Sequence, residues 1–359
     1  MKTYFYLTAI IFLLYCKNAK AQDPVFSNFF TNRLFLNPAF AGDDGPGRVR
    51  AASLHRNIFR PMRGPMNATN FGLDYGLCNA NIGIGLLAGN ETQGDGFLSS
   101  NHAGIVLSVK KDLNRNCYGT LGFQMSYMSQ SVDWNQFIFS DQLDPVYGVT
   151  MSSTNQNMNR QFSNQKDMSL GALVKWWDWK RVSTLGINFN HAPSRTQVGY
   201  LSNYQIPIRA SLHYGFFYKP NPSIPDNAKE LQVRIDKQDK FIVSIINFNW
   251  YINDKISVGS GFRASFYNNQ ALKNTQNALF NVSLLPTQNV KIIASYEASF
   301  GGINLAGGGN SFELGIIFTS KTELCSFRSL TGVFNKKRKT AGRSTPCPVF
   351  NKAKIIAPF

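Results

Sequence analysis

The feature that most constrains this chain is a period-two alternation of apolar and polar side chains, sustained over runs of 9 to 14 residues. KISVGSGFRASF from Lys255 places Ile256, Val258, Phe262, Ala264 and Phe266 on one side and Ser257, Gly259, Gly261, Arg263 and Ser265 on the other. IPIRASLHYGFFYK and NSFELGIIF repeat the pattern, as do NFGLDYGL, NIGIGLLA, HAGIVLSVK, LGFQMSY and VKIIASYEASF. A period of two is the signature of a strand with one greasy and one wet face. Strands of soluble proteins cluster near 5 or 6 residues, whereas tilted membrane strands need about 9 to 11. A lipocalin-like soluble barrel would invert the faces, and alternation by itself does not say which face is out. Strand length and the surplus of Gly, Ser, Asn and charged residues on the polar face favour an antiparallel transmembrane β-barrel with a wet or packed polar lumen. Tyr118, Trp176, Trp177, Tyr218, Trp250, Tyr251 and Phe300, near strand ends, fit interfacial aromatic girdles.

Turn spacing predicts fourteen strands, near 46 to 59, 67 to 78, 81 to 91, 97 to 111, 116 to 130, 167 to 177, 180 to 192, 204 to 219, 229 to 236, 239 to 251, 254 to 268, 276 to 285, 288 to 300 and 310 to 319. Even counts are the rule for bacterial barrels, with short turns on the periplasmic side and long loops outside. The short connections, such as Lys111 to Asn116 and Trp177 to Lys180, then fall in the periplasm, together with the Pro-rich KPNPSIPDNAKE. The long ones, Ser131 to Lys166 and His191 to Asn203, fall outside the cell. On the predicted inward faces lie Asp74, Lys110, Lys175, Arg209, Arg263, Glu297 and Glu313, which either set the selectivity of a pore or pair across the lumen and plug it.

The ends agree with export. MKTYFYLTAIIFLLYCKNAKAQ has a basic start, a short apolar run and a small-residue finish, so residues 1–21 read as a signal peptide cleaved after Ala21. Its apolar run is too short for a membrane-spanning helix. A lipoprotein signal at Cys16 is the alternative, although Tyr15 is a poor residue before an acylated cysteine. The expected organisation is a periplasmic N-terminal segment over 22–45, a barrel over 46–320 and a basic periplasmic tail over 321–359. The whole sequence carries a formal net charge of +17, and the tail holds nine Lys and Arg against one acid, Glu323. Such a tail is either a solvated extension or a dock for an acidic partner, with Lys336, Lys337, Arg338 and Lys339 as the candidate contacts. Four cysteines remain after the signal is removed. All lie on the predicted periplasmic side, and the expected disulfides are Cys78 with Cys117 and Cys325 with Cys347.

No constellation for catalysis, a metal or a cofactor emerges. The four histidines, His55, His102, His191 and His213, have no metal-ligand spacing, and no C-x-x-C or G-x-S-x-G occurs. GGINLAGGGNS lacks the Gly-Lys-Ser/Thr ending of a phosphate loop and lies between strands, so it reads as a surface loop. Basic residues beside aromatics would suit nucleic acid, but the signal peptide argues for another compartment.

Several stretches together resemble one family. QDPVFSNFFTNRLFLNPAFAG, with Leu36 to Gly42 at its heart, is similar to the mature start of PorP/SprF outer-membrane proteins of Bacteroidota. INDKISVGSGFR, VKIIASYEASF with its Gly-rich loop and NSFELGIIF, and Cys347 to Phe350 extend the likeness over most of the chain. The long loop after Ser131 and the KPNPSIPDN insertion depart from it. The resemblance implies a non-enzymatic barrel of type IX secretion and gliding motility. Such barrels work with the secretion machinery in the periplasm and outer membrane, or hold a secreted adhesin at the surface through its C-terminal domain. A stiff arm bearing Asn37 and Pro38 then caps the periplasmic mouth or docks a partner, unless Leu36 to Gly42 is merely the turn that starts the first strand. Trp134, Phe137, Phe139, Tyr147 and Phe162 in the long outer loop are the candidate anchors for the secreted protein. The competing reading is a general diffusion channel for small solutes. Either way the chain meets the lipid bilayer and lipopolysaccharide.

Overall fold

The computed structural model describes residues 25–58, 66–78, 80–94, 98–133, 142–144, 147–149, 161–192, 195–198, 203–220, 227–267, 275–300 and 310–320. The first strands are β1 (Val49–Ile58), β2 (Met66–Gly76), β3 (Ile82–Gln93), β4 (Leu98–Asn114) and β5 (Cys117–Val132). A small pair, β6 (Leu143–Asp144) and β7 (Gly148–Val149), precedes β8 (Gln161–Trp177) and β9 (Arg181–Asn190). A second pair, β10 (Arg195–Val198) and β11 (Asn203–Ile206), precedes β12 (Arg209–Tyr218), β13 (Ala228–Gln238) and β14 (Phe241–Tyr251). β15 (Ile256–Tyr267), β16 (Thr275–Thr287), β17 (Val290–Ser299) and β18 (Ser311–Thr319) complete the strands among the described residues. Without the two small pairs, fourteen strands close into one antiparallel barrel in which β1 bonds to β18.

The alternation resolves with its apolar face outward. Ile105, Val109, Leu121 and Phe280 are 57% to 68% exposed on the outer wall, while their neighbours Val106, Thr120 and Leu279 are buried inside. Lipid is the solvent that makes such a surface stable. Adjacent residues of a strand point to opposite sides, and this splits the aromatic girdle. Trp176 and Trp250 face out, but Trp177, Tyr251 and Tyr118 are buried within. The Tyr251 hydroxyl donates to Glu230 at 2.7 Å and accepts from Lys291 at 2.8 Å.

Strand extents depart from expectation in three places. β5 and β8 run in register from Cys117 opposite Trp176 to Val132 opposite Gln161, so Phe162 lies in a strand opposite Ser131 and not in a loop. The reason is that a hairpin rising past the bilayer needs no apolar outer face, and its polar sequence reads as loop. The expected strand over 204 to 219 is two strands, because Pro207 lacks the N–H that a central ladder requires. LQVRID, short and polar by inspection, lies within an 11-residue strand whose inward face carries Glu230, Gln232, Arg234 and Asp236.

Candidate functional site

The lumen is filled by the chain's own N-terminal segment. Residues 25–45 run inside the barrel, and Phe26, Phe29, Phe30, Leu34, Leu36 and Phe40 are each no more than 2% exposed. One apolar cluster joins Phe29, Phe30, Leu36 and Phe40 of this plug to Leu173, Phe217, Ile245 and Leu279 of the wall. Each such side chain contributes about 1.5 to 3 kcal/mol on burial.

The local folding of the plug is legible in Leu36 to Gly42. A short helix, α1 (Arg33–Leu36), ends at Asn37, whose side chain accepts from Ala39 N at 2.9 Å and caps a 3-10 turn over Pro38–Phe40. Asparagine is a strong N-cap and proline at the first helical position loses no hydrogen bond. Gly42, at φ +65°, then turns the chain where a Cβ would sit 2.8 Å from Gly83 Cα. The other face of Asn37 reaches the wall, donating to Ala172 O and Ile187 O, each at 3.1 Å, which belong to paired residues of β8 and β9. That approach needs bare backbone. A methyl group at Gly171 would overlap Asn37 Oδ1, and one at Gly122 would overlap the Pro38–Ala39 peptide. Asn37 and Pro38 are therefore buried contacts within the chain and not an exposed dock for a partner, which corrects the sequence expectation.

An irregular segment must pair its backbone polar groups with side chains when water is excluded. Here Asn247 donates to Ser27 O at 2.8 Å, Arg50 to Thr31 O at 2.9 Å, Asn188 to Leu36 O at 3.0 Å and Ser108 to Ala41 O at 2.7 Å. Charges clamp both ends. Near the long-loop end, Glu313 accepts from Ser27 N at 2.7 Å and Asn28 N at 2.9 Å, while Glu297 accepts from Ser27 Oγ at 2.9 Å. Arg56 lies 2.7 Å from Glu297 and 3.5 Å from Glu313, and Arg263 lies 3.3 Å from Glu297. Near the short-turn end, Asp43 meets Lys175 at 2.8 Å and Arg33 at 3.3 Å and accepts from the Tyr118 hydroxyl. Asp44 meets Arg33 at 2.7 Å, and Asp74 accepts from Gly42 N at 3.0 Å.

Burial by itself pushes the Asp43 carboxyl up, but the charges of Lys175, Lys110 and Arg33 outweigh it and hold it well below the usual carboxylate range. Asp44 is lowered in the same way, against burial, by Arg33 and Arg50. Burial works against the Arg33 cation, yet Asp44, Asp43 and Asp74 raise its pKa.

Of the inward charges named from sequence, Asp74, Lys175, Glu297 and Glu313 thus hold the plug, directly or through its backbone. Lys110 stacks 4.4 Å from the Tyr118 ring centroid, and the Arg209 guanidinium lies 6.0 Å from that of Phe35. His213 sits between Phe30 and Phe40, and His102 against Phe35. Among the described residues no group of three or more His, Cys, Asp or Glu is placed to hold a metal ion. The expected Cys78–Cys117 disulfide is absent: Cys117 is a free thiol, whereas Cys78 takes part in a disulfide. Neighbouring turns on one rim are not enough to bring two sulfurs together, since a disulfide needs Cα atoms within about 7 Å and Cβ vectors that face each other. Cys325, Cys347, Lys336, Lys337, Arg338, Lys339, Trp134, Phe137 and Phe139 lie outside the described residues. Tyr147 is 80% exposed beside the β6–β7 pair, its N–H donating to Asp144 at 2.9 Å. What the sequence did not reveal is the fit between plug and wall; its one signal was glycine at inward positions, which also suits an empty polar lumen.

The family model of the type IX secretion system membrane protein PorP/SprF matches residues 18–318. The chain belongs to the PorP/SprF family. It is an outer-membrane β-barrel of that family, with LNPAFAG as the core of its plug. Solved structures match the chain at low identity. The CymD monoaromatic hydrocarbon channel is 11% identical over 85% of this chain and 95% of that one, with a TM-score of 0.49. A Pseudomonas aeruginosa FadL homologue is 10% identical over 84% and 98%, at 0.47. The Ralstonia pickettii toluene transporter TbuX is 11% identical over 84% and 94%, at 0.45. No curated protein matches the PorP/SprF chain described here.

Proposed function

We propose that this PorP/SprF barrel is a non-enzymatic part of the secretion and gliding machinery that anchors, or helps translocate, a secreted adhesin-type surface protein through that protein's C-terminal domain. The observation that carries the reading is the filled lumen. A cavity lined by Asn28, Phe30, Thr31, Asn281 and Lys291 has room for about one water, so a solute crossing by the lumen would first have to expel the plug. Rigid fixation of the barrel interior suits a protein that presents surfaces rather than a pore. The surface it presents most is the β5–β8 hairpin, which continues eight residues beyond the ladder between β8 and β9.

The test is co-purification of the secreted partner with the intact protein and with a variant lacking residues 134 to 160, between β5 and β8. Loss of the partner from a variant that still folds is the expected result; undiminished recovery overturns the loop's role. Replacing Lys336, Lys337, Arg338 and Lys339 with Gln asks whether the tail holds an acidic periplasmic component, and expects recovery that falls and loses its salt dependence. Steady conductance by the intact protein in planar bilayers at neutral pH would favour the diffusion channel instead.

A further inference from the structure

At the short-turn rim of the outer wall, four side chains stand directly opposite one another on neighbouring strands. Arg181 of β9 is in register with Tyr218 of β12, Tyr218 with Lys229 of β13, and Lys229 with Trp250 of β14. All four face outward, alternating with the buried Phe217, Glu230 and Tyr251. Arg181 and Lys229 are exposed, and neither makes an ion pair among the described residues. Of the nearby carboxylates, Glu230 points into the lumen, and Asp178 accepts through one oxygen from the N–H groups of Lys180 and Arg181 in its turn, at 2.8 Å each. The equivalent rim positions on β15 to β18 are Ile256, Leu284, Val290 and Phe318, so the row does not continue onto those strands.

Toward the bilayer centre the rows on the same strands are apolar except for Ser183 of β9, which stands opposite Phe216. Phe216, Leu231 and Phe248 stand in register first, followed by Leu185, Tyr214, Val233 and Ile246. Neighbouring strands are about 4.8 Å apart, so Arg181 and Lys229 are about 10 Å apart across Tyr218, within reach of one bridging anion. Guanidinium and ammonium groups flanking a phenol donor suit a phosphodiester, and an indole at the headgroup level suits the interface. The apolar rows below run toward the midplane, as an acyl chain does.

We propose that the β9, β12, β13 and β14 rim is a binding site for an anionic phospholipid of the leaflet at the short-turn end, with its phosphate between Arg181 and Lys229 over Tyr218. The site gives this sector of the lipid-facing rim a preference for one class of headgroup. The site stands whether or not the barrel anchors an adhesin.

The full-length protein is reconstituted in phosphatidylcholine discs doped with phosphatidylglycerol, extracted gently, and its retained lipid is counted by native mass spectrometry. The wild type is expected to retain phosphatidylglycerol above its share of the bilayer. Enrichment should fall about five-fold for each charge removed in R181Q and K229Q. It should survive in R181K/K229R and in K237Q/K240Q, whose charges lie at the opposite end. Unfolded variants are recognised by loss of the heat-dependent gel shift, and the R181K/K229R pair then carries the comparison. Equal retention of both lipids by the wild type, or undiminished enrichment in R181Q/K229Q, overturns the site and would leave the row free for an acidic protein.

Discussion

Asn37 shows how much one side chain can be asked to do. Its oxygen caps the turn that shapes the plug, and its amide nitrogen ties that turn to two barrel strands. The fit depends as much on what is missing opposite it, namely side chains at Gly122 and Gly171. Gly122→Val is therefore expected to cost about 1 to 3 kcal/mol of plug docking, as overpacking does, and to raise conductance through the lumen. Gly119→Ala is the control, because a Cβ there meets Leu113 at an ordinary 3.6 Å. A closed, unperturbed barrel in the Gly122 variant would mean that the plug does not depend on this contact.

At the level of elements, the plug is a segment of little regular structure held by a wall of strands. Its stability comes from buried aromatics and from side-chain partners for its backbone, with a charge clamp at each end. The clamp near the short turns sets a pH dependence. Asp43 and Asp44 are depressed in the folded protein, so their contribution is complete above the unfolded carboxylate value of about 3.9 and is lost as pH falls through the lower folded values. The share of plug docking that Asp43 and Asp44 supply should be flat between about pH 5 and 8 and weaken only in stronger acid. Conductance of the wild type and of D43N/D44N compared across that range reads this directly, and a difference between the two that changes between neutrality and pH 6 would contradict the assignment.

The whole molecule is a barrel turned outward to lipid and sealed inward by its own chain. A charge placed at mid-wall tests the first half of that statement. Phe280→Arg, at an outward position 57% exposed to the membrane, should destabilise the barrel by about 2 to 4 kcal/mol. The measure is the denaturant midpoint in lipid vesicles. An Arg tolerated there at no cost would place residue 280 outside the hydrocarbon.

Strand number, direction and the two faces of the wall were legible in the sequence, because alternation and turn spacing are local and each strand repeats them. Leu36 to Gly42 was likewise recognisable as a motif, and the inward charges could be named. The purpose of the motif was not legible. Whether Asn37 meets a partner, a turn or the far wall depends on contacts spanning 135 and 150 residues of chain, to Ala172 and Ile187. The same holds for Glu313, whose partners Ser27 and Asn28 lie 286 and 285 residues away. Inward glycine was ambiguous for the same reason: an absent side chain suits water or a plug equally until the facing backbone is in place. The sequence by itself thus determined a fourteen-stranded membrane barrel, since the period of two and the length of its runs are properties of each strand. Only the tertiary structure decided that the barrel is closed by its N-terminal segment, because that depends on the shape left between strands far apart in the chain.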